Sequence, residues 1–350
     1  MTTEIPRPTE APPPSDAPER TVPPGPRVTV SRGTITITVA VVALFIASAF
    51  AAPTSLDRGS VLTMLPFAAV LAIAALGQNL VVMQGGIDLS VPGAISLAVV
   101  ITTHQAHGDN SLLLPALGLG FVVAIVAGIA NGILVGRLGL NPIVATLGTN
   151  ALLYAGVLGI SGGTPRRTTD LLARTAGGLA FGIPNSVYVA VVVIVVAIVA
   201  VKLTSAGRRF EAVGANPAAA SATALPVSRH RSGAYVWAQL LYWLAGVLLA
   251  GIIAQPTAFQ GDTYLLPSVA AVVLGGTSLL GGRGYLLATA IAALFLSQLD
   301  QFVLSLGVSF AIRTLVEAAA LTVGVALYSV NWQSLRERFS RRSPVASTAG

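Results

Sequence analysis

Val187-Tyr188-Val189-Ala190-Val191-Val192-Val193-Ile194-Val195-Val196-Ala197-Ile198-Val199-Ala200-Val201 is a run of fifteen residues with no charge and no helix breaker. With its flanks such a run reaches the ~30 Å of a bilayer's hydrocarbon core, and it leaves no polar face for water. The rest of the chain follows suit: of 350 residues 54% are hydrophobic and only 9% charged, which excludes a set of water-soluble domains. At about 20 residues per span there is room for roughly eight to eleven membrane helices. Cut where Pro, Gly and charge cluster, the apolar stretches predict helices over 34–52, 61–83, 91–106, 112–136, 142–160, 184–203, 233–254, 266–280, 285–305 and 310–329. The expected fold class is all-α: a polytopic membrane protein of about ten transmembrane helices. The segments 91–106 and 266–280 are short and flanked by glycine, so broken or re-entrant stretches are expected near 85–93 and 274–284.

Three regions follow from composition. Residues 1–32 carry nine prolines and almost no large apolar residues, which predicts a disordered Pro-rich tail; 33–330 form the transmembrane domain; 331–350 form a basic tail. The first apolar run ends without a small-residue cleavage site, so the chain is expected to keep its first helix. A net charge of +7 would point to nucleic acid in a soluble protein, but here the basic residues sit mostly at helix ends, where they set orientation. Ten spans with both termini cytoplasmic put fifteen of the twenty Lys and Arg inside, against Arg58, Arg166, Arg167 and Arg174 outside. The absence of cysteine excludes disulfides, thiolate metal sites and cysteine nucleophiles.

Three stretches carry more than hydropathy. Gly85-Gly86-Ile87-Asp88-Leu89-Ser90-Val91-Pro92-Gly93 sets a carboxyl and a hydroxyl between two apolar helices. A bare carboxylate at membrane depth is costly, so either Asp88 or Ser90 caps the amides of a helix start, with Pro92 in its first turn, or Asp88 contacts a solute or ion. Leu274-Gly275-Gly276-Thr277-Ser278-Leu279-Leu280-Gly281-Gly282-Arg283-Gly284 pairs glycines around small polar residues, as an unwound pathway segment or a close helix contact requires. Both stretches put paired glycines after an apolar helix, which suggests a weak duplication relating 61–105 to 266–305. Between Lys202 and Arg231, Asn216 is a natural N-cap and Pro217 a natural first residue of a short alanine-rich helix that Pro226 ends.

The catalytic inventory is empty. The single lysine, Lys202, precedes Leu203, so there is no phosphate-binding Gly-x-x-x-x-Gly-Lys-Ser/Thr loop. No His-Glu-x-x-His or Ser/His/Asp arrangement occurs, and His104 and His107 beside Asp109 read as a solvated helix rim rather than a metal site. No catalytic residue, metal ligand or cofactor is assigned.

At this point the motifs carry a resemblance. Gly85–Ser90, Pro142-Ile143-Val144-Ala145-Thr146-Leu147-Gly148-Thr149, Ala212-Val213-Gly214-Ala215-Asn216-Pro217-Ala218-Ala219-Ala220 and Val272–Gly284 stand in the order and spacing of the ribose-type ABC transporter permeases of the branched-chain/monosaccharide superfamily. The likeness covers about 33–330. It implies a permease in the cell inner membrane, paired with a second permease copy as a homodimer, fed by an extracytoplasmic solute-binding protein and driven by a cytoplasmic ATP-binding subunit. Its cargo would be a pentose, hexose or related polyol. The resemblance makes the loop 204–232 the ATPase-coupling element, carried by Gly214, Asn216, Pro217, Ala218, Ala219 and Ala222. It makes Gly85, Gly86, Asp88, Ser90, Gly275, Gly276, Thr277 and Ser278 the pathway or helix-break residues. The chain departs from the family pattern at Pro92, where Gly is common, and in the alanine-rich stretch after Pro217, where a charged residue is usual.

The expected function is thus a permease subunit of an ATP-driven importer working by alternating access, not an enzyme itself. The alternative is an ion-coupled secondary carrier. Its intramembrane ionisable groups would be Asp88, Asp300, Arg313 and Glu317, of which the last two are spaced to pair on one helix, leaving a thin relay.

Overall fold

Apolar runs bounded by Pro, Gly and polar caps fold into twelve α-helices among the described residues of the computed structural model, which are 32–309 with 311, 312, 314–316, 318, 319 and 322. These are α1 Arg32–Ala51, α2 Arg58–Met83, α3 Val91–Ala106, α4 Leu113–Asn131, α5 Pro142–Ser161, α6 Asp170–Gly177, α7 Asn185–Ile198, α8 Ser205–Ala215, α9 Pro217–Ala222, α10 Val227–Ile252, α11 Leu265–Leu274 and α12 Leu286–Ser305. The Pro-rich tail, most of the helix expected over 310–329 with Arg313 and Glu317, and the tail 331–350 lie outside the described residues.

Among the described residues there are seven membrane-length apolar helices: 33–51, 58–83, 110–137, 142–161, 185–203, 227–252 and 286–305. Two further apolar helices, Val91–Ala106 and Asp262–Leu274, fall short of that length. At 1.5 Å per residue, the 16 residues of α3 and the 10 of α11 span less than the ~30 Å of a hydrocarbon core. The protein is therefore all-α and polytopic, with two shortened helices where the glycines interrupt the apolar runs.

The centre of the packing is α10, which lies against α2, α3 and α4 and buries Tyr235 and Tyr242. Close approach depends on missing side chains: a Cβ on Gly128 would come within 2.6 Å of Val236 Cα, and one on Gly246 within 2.6 Å of Ala98 Cβ. This small-residue packing lets helix backbones touch where lipid gives no hydrophobic drive between them. By contrast α1 and α7 leave most of their apolar surface uncovered, as Val39, Phe50, Val192 and Val196 illustrate.

Four expectations need correction. The helix expected at 233 begins at Val227, because Pro226 can precede a helix start, so Arg229, His230 and Arg231 ride on its first two turns rather than in a loop. The segment expected over 266–280 leaves the helix at Leu274. The long segment expected as a loop between Lys202 and Arg231 is mostly helical, with α8 preceding the expected α9; Thr204 starts α8 by accepting from Gly207 N. The alanine-rich helix ends at Ala222, before Pro226, because the chain turns there through Ala224 at φ 60.

That turn is a Schellman motif, with Leu225 N bonded to Ala220 O and Ala224 N to Ser221 O, and it places an alanine in the left-handed region. Ala224→Gly is expected to stabilise the protein by about 0.5–1 kcal/mol, the left-handed strain of ~1–2 kcal/mol less the entropy glycine adds to the unfolded chain. The check is the unfolding temperature of detergent-purified protein, which should rise; an unchanged or lower value would contradict the strain.

The segment between α5 and α7 folds as the short helix α6, started by Thr169 accepting from Leu172 N at 3.2 Å, and a two-residue hairpin, β1 Leu179–Ala180 with β2 Ile183–Pro184. Its turn residues Phe181 and Gly182 both have positive φ, as a type I′ turn requires.

Candidate translocation and coupling site

Both helix breaks open with the same backbone device. At the end of α2, Gly86 N bonds to Val81 O and Gly85 N to Val82 O, with Gly85 at φ 77; at the end of α11, Thr277 N bonds to Val272 O and Gly276 N to Val273 O, with Gly276 at φ 85. These are two Schellman motifs, each needing a residue free of Cβ strain at its left-handed position. Their likeness is real at this level but its register differs from the pairing of Gly85-Gly86 with Gly275-Gly276: Gly85 corresponds to Gly276 and Gly86 to Thr277. The common string is Val-Val-Met-Gln-Gly-Gly against Val-Val-Leu-Gly-Gly-Thr.

After the first break the chain runs Ile87-Asp88-Leu89-Ser90 into α3, and its amides are satisfied by side chains. Leu89 N donates to Thr146 Oγ1 at 2.9 Å, Ser90 N to Asp88 Oδ1 at 2.8 Å and Gly93 N to Asn150 Oδ1 at 2.8 Å. Asp88 is wholly buried. Its Oδ1 also accepts from Ser90 Oγ at 2.5 Å, and Ser90 Oγ in turn accepts from Gln239 Nε2 at 2.6 Å and Asn131 Nδ2 at 3.2 Å. Thr149 Oγ1 completes the chain on Asn131 Oδ1 at 2.6 Å. In the amide orientation that satisfies its neighbours, Gln78 holds the Asp88 backbone from both sides, accepting from Asp88 N and donating to Asp88 O, each at 3.1 Å. Polar backbone at membrane depth thus finds its partners within the protein. Ser90 itself does not cap α3 with its side chain; Asp88, two residues before it, accepts in its place.

The second break has its own, separate network. Thr277 Oγ1 accepts from Tyr285 N at 3.1 Å and from Asn79 Nδ2 at 3.3 Å, and Asn79 Nδ2 also reaches Thr289 Oγ1 at 2.6 Å. Gly275 lies where a Cβ would come within 2.7 Å of Thr289 N on α12. Ser278 is exposed; its Oγ accepts from Leu280 N at 3.2 Å and its carbonyl from Gly281 N at 3.1 Å. Neighbouring amides on α2, Gln78 and Asn79, therefore turn to different breaks.

The two breaks meet the loop element at three glycines. A Cβ on Gly281 (φ 92) would come within 3.0 Å of Gly214 O and 3.1 Å of Gly85 N, and a Cβ on Gly214 would overlap Met83 O. Met83 O accepts from Gly282 N at 3.0 Å, and Gln84 Nε2 donates to Phe210 O on α8 at 2.9 Å. The end of α8 is thus seated on the junction of both breaks. Beyond it, Asn216 Oδ1 accepts from Ala219 N at 3.0 Å at the start of α9, Pro217 is the first residue, Ala220 turns inward, and Ala218, Ala219 and Ala222 are exposed. Lys202 pairs with Glu211 and lies 5.9 Å from the ring centroid of Tyr285, tying α8 to the entry of α12.

Of the residues singled out from sequence, Gly85 and Gly214 come together; Asp88 and Ser90 form one buried network; Gly275, Gly276 and Thr277 line another; Ser278 stands apart. Gln78, Asn79, Asn131, Asn150 and Gln239 were not singled out. Their signal was an amide inside an apolar helix, which in a membrane protein marks a bundle-facing position. At the rim, Asp109 Oδ1 accepts from Ser111 N at 2.8 Å, and this backbone hydrogen bond holds its carboxyl below the usual carboxylate range.

The sequence pattern of a family described as branched-chain amino acid transport system / permease component matches residues 60–333. The chain is 33% identical over 298 residues to a probable ABC transporter permease protein of Sinorhizobium fredii, covering 85% of this chain and 89% of that one. It is 33% identical over 281 residues to the ribose import permease protein of Bacillus subtilis, covering 79% and 86%. It is 29% identical over 272 residues to an autoinducer 2 import system permease protein of Photorhabdus temperata, covering 75% and 80%. No solved structure gives a significant match.

Proposed function

The chain belongs to the family of branched-chain amino acid transport system permease components, and from that membership we propose that it is the membrane-spanning subunit of an ATP-driven importer for a monosaccharide: a pentose, hexose or related polyol. The similarity to a ribose import permease and an autoinducer 2 import permease supports the cargo class. Energy enters through a separate cytoplasmic ATP-binding subunit, solute through an extracytoplasmic solute-binding protein, and two permease copies form a homodimer in the inner membrane. The transmembrane domain is 33–330, with 204–232 as the coupling loop and both tails cytoplasmic. A reporter fused after Gly350 is expected to be active only on the cytoplasmic side; activity only outside would mean an odd number of spans and would sink this orientation.

The observation that carries the proposal is the seating of α8 on the Met83 carbonyl, between Gly85 and Gly281. A push on the exposed face of α9 passes through α8 into both breaks at once, which is what alternating access requires of a coupling element. Asp88 and Ser90 hold the first break in shape, and Gly275, Gly276 and Thr277 hold the second. Ala218, Ala219 and Ala222 offer a small-faced surface that fits a groove of the ATP-binding subunit, with Arg208, Arg209, Arg229 and Arg231 flanking it in sequence for acidic groups. Replacing Ala219 or Ala222 by Trp should leave membrane insertion and binding-protein docking unchanged and abolish solute-stimulated ATP hydrolysis in the reconstituted complex. Full stimulation in either variant would remove α9 from the contact.

A further inference from the structure

We propose that the cleft beneath the first helix break is a binding site for a phosphate ester that also carries free hydroxyl groups. The cleft has a volume of about 210 Å³ and is lined by Gln84, Gly85, Gly86, Asn141, Arg231 and Tyr235 among others. Among the described residues, two of these, Arg231 and Gln84, present buried hydrogen-bonding atoms without a partner, and Tyr235 adds a hydroxyl. Arg231 has a buried Nε with no hydrogen bond and makes no ion pair among the described residues. Tyr235 is 1% exposed, and its hydroxyl lies where a Cβ on Gly86 would be 2.6 Å away, at the wall of the cleft. Gln84 is 7% exposed; its Nε2 is taken by Phe210 O, which leaves its buried Oε1 unpaired.

The ligand class follows from these groups. An unpaired guanidinium beside a phenol calls for an anion, since guanidinium matches phosphate oxygens in charge and geometry. Asn141 and Pro142, the cap and first residue of the 20-residue α5, form another wall, so the positive end of that helix adjoins the same space. Gln84 Oε1 only accepts, so the ligand must also donate, which a phosphate diester cannot do without a hydroxyl elsewhere. The volume has room for about seven waters at ~30 Å³ each, more than a bare phosphate fills. A sugar phosphate and the headgroup of phosphatidylglycerol share this chemistry: phosphate at Arg231 and Tyr235, hydroxyl at Gln84. The site is distinct from the Asp88–Ser90 network and does not depend on the transport reading.

The test uses the full chain in nanodiscs. In discs of phosphatidylcholine alone, calorimetric titration with ribose 5-phosphate should show binding, with ribose at least about tenfold weaker. Arg231→Gln should weaken it by about tenfold or more and Tyr235→Phe by about three- to tenfold, as expected for losing a charged and a neutral partner. If ribose 5-phosphate does not bind, phosphatidylglycerol should instead be retained through purification from mixed discs by the native chain and lost from Arg231→Gln, assigning the site to lipid. Should Arg231→Gln fail to fold, Tyr235→Phe decides either arm. Binding of neither probe, equal binding of ribose and its phosphate, or indifference to the substitutions would overturn the proposal.

Discussion

Gly214→Ala is expected to abolish solute-stimulated ATP hydrolysis in the reconstituted importer while the protein still inserts into the membrane. One methyl group is enough because of where it points: into the Met83 carbonyl oxygen, a backbone atom that cannot rotate away. Relief requires lifting α8 off the junction, which also disturbs the bond from Gly282 N to Met83 O and the one from Gln84 Nε2 to Phe210 O. Overpacking of this kind costs about 1–3 kcal/mol, tolerable for a bundle of this size but concentrated on one joint. The control is Gly233→Ala, near the start of α10, where a Cβ meets nothing within 4 Å and helix propensity improves. It should hydrolyse ATP as the native chain does. Native-like stimulation in Gly214→Ala would show that α8 can leave the junction without consequence, and the coupling route drawn here would fail.

The second large effect is expected at Asp88. Asp88→Leu removes the acceptor for both Ser90 N and Ser90 Oγ inside the bundle, costing about 1–3 kcal/mol for each group left unpaired, and loss of transport should follow loss of folded protein. Asp88→Asn keeps the Oδ1 acceptor and sets an amide where Oδ2 has no hydrogen bond among the described residues, so substantial transport should remain. The two are compared by monodispersity in detergent and by uptake in vesicles. A well-folded, fully inserted Asp88→Asn protein with no transport would replace the capping role by one that needs the charge.

How much of this was legible in the sequence varies with the kind of signal. Among the described residues, long apolar runs placed most membrane helices within a few residues because hydropathy reports them directly. It misplaced the start of α10, where Arg229 and Arg231 occupy the first two turns, which composition reads as loop. The glycine pairs marked both breaks, but their matching register depended on which glycine takes the positive φ, a property of backbone bonding that spacing alone does not fix. Asp88 stood out as a carboxyl amid apolar residues; Gln78, Asn131 and Gln239 did not, since one amide barely lowers the hydropathy of a helix. Gly214 was singled out by its motif, whereas the reason for a glycine there, a carbonyl from α2 against its Cα, belongs to tertiary packing.

The central claim is that the chain moves solute only when another subunit hydrolyses ATP. It is tested most directly in proteoliposomes, with the chain alone or with its ATP-binding subunit and solute-binding protein, offered a panel of radiolabelled pentoses and hexoses. The account predicts uptake that requires all three proteins and ATP, and that no proton or sodium gradient can replace. Gradient-driven uptake by the chain alone, unchanged by Ala219→Trp, would contradict it and establish a secondary carrier.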